Sequence, residues 1–334
     1  MSTVSGYFWR FEHPGWLGGP PDDWNMQRTV ESLGSRIPES WKEVVVDRQL
    51  KYGPRFTAER WGLMRYDFSQ WPPGVTEPDE SQSPNFNQAV ETTLRRLKLM
   101  NVHLLLLHAA YLELMNTGTR TQRVSHTDLI HFHGDGSSGP GLLQQPMLVG
   151  ILDAARTDLA AVETEVLDVS TDWLDQLLKA DPDASDSLDK LDLLHHGLAM
   201  FQSHDYAQAL VAGWTLCEQL ITMRWDTYLA ERRNVIKLSD GIEVERMNSD
   251  RRRHLREDQP ISTVLQILEL VEELDHESFR RLDAVRHRRN RWMHHLERPD
   301  ASSGRQSLSA AADLLTTSIG LPIRLSLGRT ISMA

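Results

Sequence analysis

"HESFRRLDAVRHRRNRWMHHLER", residues His276 to Arg298, carries apolar side chains at helical spacing: Leu282, Val285, Trp292 and Leu296 recur so as to define one packing face. Counting about 100° per residue from Leu282 places Val285 at about 300°, Leu296 at about 320°, Trp292 at about 280° and Arg289 at about 340°. Arg289 therefore falls inside the apolar stripe, where a solvated basic face does not explain it. A buried guanidinium cannot shed its charge, so this arginine needs a carboxylate, a phosphate or a water-filled cleft. By the same count Asn290 lies at about 80° and His294 at about 120°, stacked at i, i+4 on the flank of the packing face. The long Arg289 side chain can swing toward that flank. His294 also occupies the last turn, where the negative end of the helix dipole favours positive charge. The three side chains read as an anion site with a proton donor.

A neighbouring helix offers a competing explanation. "DYAQALVAGWTLCEQLITMRWDTYL", Asp205 to Leu229, has its own stripe at Leu210, Trp214, Cys217, Ile221 and Tyr228, with Glu218 at the edge. A Glu218–Arg289 pair across the bundle would be a buried salt bridge that fixes helix register and does no chemistry. Both readings stand on the sequence geometry.

Outward from these helices the chain divides by composition. The first 80 residues hold six of the ten tryptophans (Trp9, Trp16, Trp24, Trp41, Trp61, Trp71), frequent Gly and Pro, and a run "WKEVVVDRQL" that suits a strand. This predicts a small mixed or irregular N-terminal region, its aromatics packed as a core. "QWPPGVTEPDESQSPN", Gln70 to Asn85, reads as a linker. A helical middle region follows over 86–180, with "NQAVETTLRRLKLMNVHLLLLHAAYLELMN" as one long helix and "QPMLVGILDAARTDLAAVETEVLDVSTDWLDQLLK" as one or two more. "ADPDASDS" marks a second boundary, beyond which 188–321 reads as a wholly helical bundle. End signals include Ser203 or Asp205 before the second of its helices, Ser262 before the third and Pro299 after the fourth. The expected fold class is mainly α: a C-terminal bundle with a Trp-rich N-terminal region.

The bulk numbers narrow the function classes. With 334 residues, 40% hydrophobic and 25% charged, the chain is long enough for a sizeable core and suggests two domains. Its most apolar run, Leu104 to Leu107, is too short to cross a bilayer, and "MSTVSGYFWRF" lacks the basic and apolar parts of a signal peptide, so a cytoplasmic protein with no membrane partner is expected. Cys217 is the single cysteine, which removes disulfides and cysteine cages from consideration. A net charge of -11 argues against indiscriminate coating of nucleic acid. The charge is uneven: 13 acids face 3 bases from Asp153 to Asp205, whereas six arginines face the single acid Asp283 from Ser278 to Leu296. A local basic site on an acidic protein favours selective entry of an anionic ligand.

"RNRWMH", Arg289 to His294, has the form R-N-x-x-x-H and resembles the signature of HEPN-domain proteins. The surroundings agree: an earlier helix "ALVAGWTLCEQL" with a glutamate four residues after an aromatic, then "LDAVRHRRNRWMHH", then a short final helix, resemble the ApeA-type HEPN arrangement over about Leu188 to Leu321. The resemblance implies a HEPN-like helical bundle and metal-independent RNA cleavage at a composite homodimer site, in toxin, antiviral or stress-defence settings. Carried over by motif, Arg289 and His294 form the catalytic pair, Asn290 is the polar residue that follows the arginine, and Glu218 is a supporting residue. Arg286, Arg288, Arg291 and His295 are expected to hold RNA phosphates. Attack by a ribose 2′-OH on the adjacent phosphate would use His294 as acid or base and Arg289 to stabilise the phosphorane. No cofactor and no metal is expected; the partners are RNA, a second copy, and a trigger or regulator acting through the N-terminal region. A non-catalytic HEPN module that binds a nucleotide, RNA or a partner subunit is the alternative.

Other motifs compete. "HTDLIHFHGDG" holds His126, His131, His133 and Asp135, and "HFHGD" has the H-x-H-x-D form of metallohydrolases, with His131 and His133 on one face of a short strand able to share zinc. The preceding long helix is not a β-rich context and no distant ligand stands out, so a polar loop is preferred. "GDGSSGPG" lacks the Lys and Ser/Thr of a phosphate loop. "DRRRHLRED", Asp250 to Asp258, reads as a solvated connector, with a mobile flap over RNA as its functional alternative. His195 and His196 read as core or surface histidines of a helix.

Overall fold

A computed structural model of the chain describes residues 4–10, 17–18, 39–69, 71, 86–115, 123–124, 130–133, 162–180, 185–231, 235–245 and 247–327. These residues are mainly helical, with eight α-helices among them, and form two compact units: 1–195 with 324–326, and 196–323 with 327–334. No helix among the described residues is long and apolar enough to cross a membrane.

In the first unit, β1 (Val4–Arg10), β2 (Val44–Gln49), β3 (Arg55–Glu59), β4 (Leu63–Asp67) and β5 (Ile130–His133) form an antiparallel sheet in the order β2-β3-β4-β1-β5. The N-terminal region is thus a meander extended by β1 and β5, and "WKEVVVDRQL" supplies β2, the strand its β-branched valines suit. Trp41, Trp61 and Trp71 are buried as the expected aromatic core; Trp16 and Trp24 lie outside the described residues, as does most of the 70–85 linker. The helices α1 (Phe86–Met115) and α2 (Thr164–Ala180) pack on one another, α2 burying Val166, Leu167, Ser170, Thr171, Leu174, Leu177 and Leu178 at i, i+3 and i+4. The stretch before Val162, expected as helix, lies outside the described residues.

A buried polar network ties α1 to the sheet and to α2. His103 Nδ1 lies 2.8 Å from the Tyr66 hydroxyl, and Nε2 lies 3.3 Å from Ser170 Oγ and 3.4 Å from Thr171 Oγ1. Both of those hydroxyls donate their single hydrogen to the Leu167 carbonyl, at 2.9 and 2.6 Å. They can therefore only accept from His103, so Nε2 carries the proton and Nδ1 accepts from the Tyr66 O–H. Burial pushes the imidazole down to about 3, which keeps it neutral.

The second unit begins inside α3 (Ser185–Gln202), at His196. It continues through α4 (Tyr206–Glu231), a β6–β7 hairpin (Val235–Lys237, Glu243–Glu245), α5 (Ser249–Glu257), α6 (Ile261–Leu270), α7 (His276–His295) and α8 (Ala301–Ile319). The hairpin corrects the wholly helical expectation for this stretch: "VIKLSDGIEVE" alternates around an Asp-Gly turn, a strong hairpin signal. The charged connector "DRRRHLRED" is itself helical, as α5, capped by Asn248 and with no residue buried. α4 is the central helix, touching α6, α7 and α8, and buries Leu210, Trp214, Cys217 and Ile221 as its stripe predicts. Tyr228, assigned to the same stripe, is only half-buried.

Small residues let α4 and α8 approach closely. A Cβ added at Gly213 would lie 2.5 Å from Ser307 Oγ and 2.9 Å from the Ser307 carbonyl carbon, and Ser307 Oγ donates to the Leu210 carbonyl at 3.0 Å. Asp205 caps α4 by accepting from the Gln208 amide, whereas α6 starts at Ile261 with Pro260 at its N-cap, two residues ahead of the expected Ser262 cap and with no side-chain cap bond.

Candidate functional site

The helix α7 begins at Asp275, whose carboxylate accepts from the Ser278 amide at 2.9 Å and is held below its ordinary range by that hydrogen bonding. Its first half packs through Leu282 and Val285, each a side chain whose burial is worth about 1.5–3 kcal/mol. The stripe does not continue as the spacing predicts. Trp292 is only half-buried and Leu296 is 75% exposed, because the helix ends at His295 and Leu296 is its left-handed cap at φ 56. The chain then turns through Pro299 to Asp300, the cap of α8, and the final turn of α7, from Met293 to Leu296, is exposed. Arg289 accordingly is half-buried, not enclosed in a core stripe.

The expected Glu218–Arg289 bridge does not form. Among the described residues no ion pair joins them; Glu218 is half-buried on α4 and its backbone carbonyl accepts from Thr222 Oγ1 at 2.8 Å. Arg289 Nη1 instead donates to Asn290 Oδ1 at 3.1 Å. The neighbouring arginines differ from it in having carboxylates. Arg286 pairs with Asp283 at 2.7 Å, and Arg291 lies 3.5 Å from Glu297. Arg288 donates to Ser303 Oγ at 3.0 Å and lies 3.8 Å from Asp300. His287 adds a second contact to Asp283, at 3.5 Å. Of the four arginines between 286 and 291, Arg289 is the one that, among the described residues, pairs with no carboxylate.

His294 and His295 are exposed at the end of the helix, where the terminal carbonyls concentrate negative partial charge. Asn290 lies one turn before His294, so both project along one side of α7. Met293, half-exposed, and Leu296 lie beside them and leave an uncovered apolar edge next to the polar one. The motif residues are thus brought together at an open helix end, with Arg288 stitching that end to the first turn of α8. Asp283, Asp300 and Ser303, which anchor the surrounding arginines, carry no signature in the sequence beyond acid–base spacing at i, i+3 on α7 and the S/T/D cap preceding α8.

The histidine motif is partly described. His131 and His133 lie on β5, opposite Tyr7 and Val4 of β1, at alternate positions of an edge strand. Their context is a five-stranded sheet, which corrects the expectation of a helical setting for "HFHGD". His126, Asp135 and "GDGSSGPG" lie outside the described residues. Among the described residues no group of three or more His, Cys, Asp and Glu side chains converges on a possible metal site. His195 is fully buried and His196 half-buried on α3.

No protein-family model, curated protein sequence or solved structure matches the chain.

Proposed function

We propose that the chain is a metal-independent endoribonuclease of the HEPN type, acting in the cytoplasm as a toxin or as an antiviral or stress-defence effector. The observation that carries the reading is the state of Arg289: half-buried, oriented by Asn290 and unneutralised, five residues before an exposed histidine at an open helix end. A guanidinium in that state is suited to a phosphate, with its fork geometry matched to two oxygens. In the proposed reaction neutral His294 takes the proton of a ribose 2′-OH as that oxygen attacks the adjacent phosphorus. Arg289 holds the charge of the pentacovalent phosphorane, and the 5′-oxygen departs with a proton from a protonated imidazole. The products are a 2′,3′-cyclic phosphate and a free 5′-hydroxyl.

A homodimer fits the uncovered apolar edge formed by Met293 and Leu296, which lies beside the reacting groups; pairing two such edges would bring two His294 rings to one site, one as base and one as acid. Arg286, Arg288, Arg291 and His295 would hold flanking phosphates. The surface pairs of Arg288 and Arg291 are weak enough to exchange for them. The first unit would restrain or trigger the nuclease.

Labelled RNA incubated with the protein in EDTA tests the reading. Cleavage that persists in EDTA and disappears in Arg289→Ala and His294→Ala supports it. RNA binding without cleavage in every condition supports instead a non-catalytic module using the same basic surface, and cleavage lost only with the chelator redirects attention to His131 and His133.

A further inference from the structure

The far end of α7 carries a second feature, about 24 Å from His294 at 1.5 Å per residue counted from Ser278. There α4 and α8 bound a cleft of about 280 Å³ whose wall includes Leu220, Tyr228 and Leu314. A smaller chamber of about 90 Å³, closed by the first turn of α7, shares Arg224, Leu314 and Thr317 with it, so the two spaces meet at the Arg224 side chain.

The charges around the smaller chamber are mostly committed. Asp275 caps α7 through the Ser278 amide, and Arg281 pairs with Asp313 at 2.9 Å. Arg224 is half-buried and, among the described residues, has no hydrogen bond or ion pair. A guanidinium keeps its charge throughout the accessible pH range, and a part-desolvated one gains most from a phosphate or carboxylate that takes both prongs of its fork. The smaller chamber has room for about three waters, the size of one oxyanion and too small for a ring.

The larger chamber suits a flat group. Tyr228 stacks on the buried Trp225, centroids 5.6 Å apart and planes at 12°, so its ring is a fixed wall opposite an apolar floor. Glu231 and Glu273 line the same space and, among the described residues, form no ion pair; they offer acceptors to hydroxyl or amino donors. One uncommitted cation amid several carboxylates disfavours a polyphosphate, whose added charges would face Asp275 and Asp313.

We propose that this cleft binds a nucleoside monophosphate, with the phosphate at Arg224, the base against Tyr228 and Leu314, and ribose or amino donors on Glu231 and Glu273. The site is separate from Arg289 and His294 and stands whether or not they cleave RNA.

Isothermal titration of the full chain with AMP, GMP, CMP and UMP, and with adenosine, ATP and inorganic phosphate, tests it. At least one monophosphate binds at one site per chain, tenfold or more tighter than its nucleoside, its triphosphate or phosphate alone. Arg224→Met weakens that binding at least tenfold, as does Thr317→Trp, an exposed position where a bulky ring fills the junction of the chambers without entering the core; Arg289→Ala leaves it unchanged. The proposal is overturned if no monophosphate binds, if inorganic phosphate or ATP binds as tightly, if both cleft variants bind normally, or if Arg289→Ala is the variant that abolishes binding.

Discussion

Arg289 donates from Nη1 to Oδ1 of Asn290, its neighbour in sequence, at 3.1 Å. The partner is an amide and not a carboxylate, so the guanidinium is aimed without being neutralised. That distinction separates Arg289 from Arg286, whose bond to Asp283 consumes its charge locally. It also gives the asparagine of R-N-x-x-x-H a physical role, which is to orient a cation and leave its field intact.

Two substitutions of Asn290 separate orientation from charge. Asn290→Ala frees the guanidinium to wander and is expected to lower RNA cleavage about tenfold, about 1.4 kcal/mol of transition-state stabilisation. Asn290→Asp keeps the contact but supplies a carboxylate, and is expected to depress cleavage as far as Arg289→Ala does. Both variants should unfold in urea within about 0.5 kcal/mol of the parent, since the position is only half-buried. Equal cleavage by the Asp variant and the parent would remove the proposed role of the uncancelled charge.

The corner between α7 and α8 makes a prediction about stability and its pH dependence. Asp300 accepts from the Ser303 amide at 2.8 Å and from Ser303 Oγ at 2.6 Å, and these bonds hold its carboxyl below the ordinary carboxylate range. A lowered folded value means that this contribution is present above the unfolded value of about 3.9 and is lost as pH falls through the folded one. Asp300→Ala is expected to cost about 1 kcal/mol at pH 7, the ordinary worth of an N-cap, and progressively less as the pH is taken below 4. Urea melts of parent and variant at pH 7 and pH 3.5 measure the difference, which should shrink at the lower pH.

Helical periodicity made α1, α4 and the start of α7 legible, and it ranked Leu282 and Val285 correctly as core, but it ran α7 past its true end at His295. It failed at Trp292 and Leu296 because spacing describes one helix's own faces, whereas burial depends on where the neighbouring helices stop. The same blindness placed Arg289 in a closed stripe when it stands at an open end. Local turn chemistry was present but outweighed in "LSDGI", where a helical frame hid the Asp-Gly hairpin. The role of His103, which flanks the apolar run Leu104–Leu107, is not visible in the sequence, since its Tyr66 and Ser170 partners lie 37 and 67 residues away. The cleft at Arg224 is drawn from α4, α7 and α8 together, and no single segment announces it.

Gly213 sits where α4 and α8 are closest, and its replacement sets two effects against each other. Alanine in a helix interior gains about 1 kcal/mol over glycine. Its Cβ, however, would press on Ser307 and on the Leu308 amide nitrogen at 3.1 Å, and backbone atoms cannot rotate away as a side chain can. Overpacking of this kind costs about 1–3 kcal/mol, so Gly213→Ala is expected to lower the melting temperature despite its better propensity. Gly304→Ala is the control: its nearest neighbour is the edge of the Phe201 ring at 3.2 Å, which can yield, and the variant should melt within a few degrees of the parent. A Gly213→Ala protein that melts higher than the parent would mean that the two helices separate freely.

His103 predicts how acid weakens the first unit. The ring is fully buried, its Nδ1 already accepts the Tyr66 hydroxyl hydrogen, and a second ring proton would force that hydroxyl to turn away while placing a charge against the Phe56 and Tyr66 rings. Its folded value, about 3, lies below the unfolded value of about 6.5, so between those limits the unfolded chain binds the proton and the native one does not. Stability from this group is therefore complete above about pH 6.5 and falls as the pH drops, with a slope approaching about 1.4 kcal/mol per pH unit. His103→Gln retains a donor and an acceptor but cannot titrate. Urea unfolding of both proteins at pH 7.5, 6, 5 and 4.5 should show the parent ahead at pH 7.5, by about 1–2 kcal/mol for its better-fitted hydrogen bonds, and the gap closing or reversing by pH 4.5. A gap that stays constant across the series would mean that the imidazole titrates alike in the folded and unfolded chain, and hence that water reaches it.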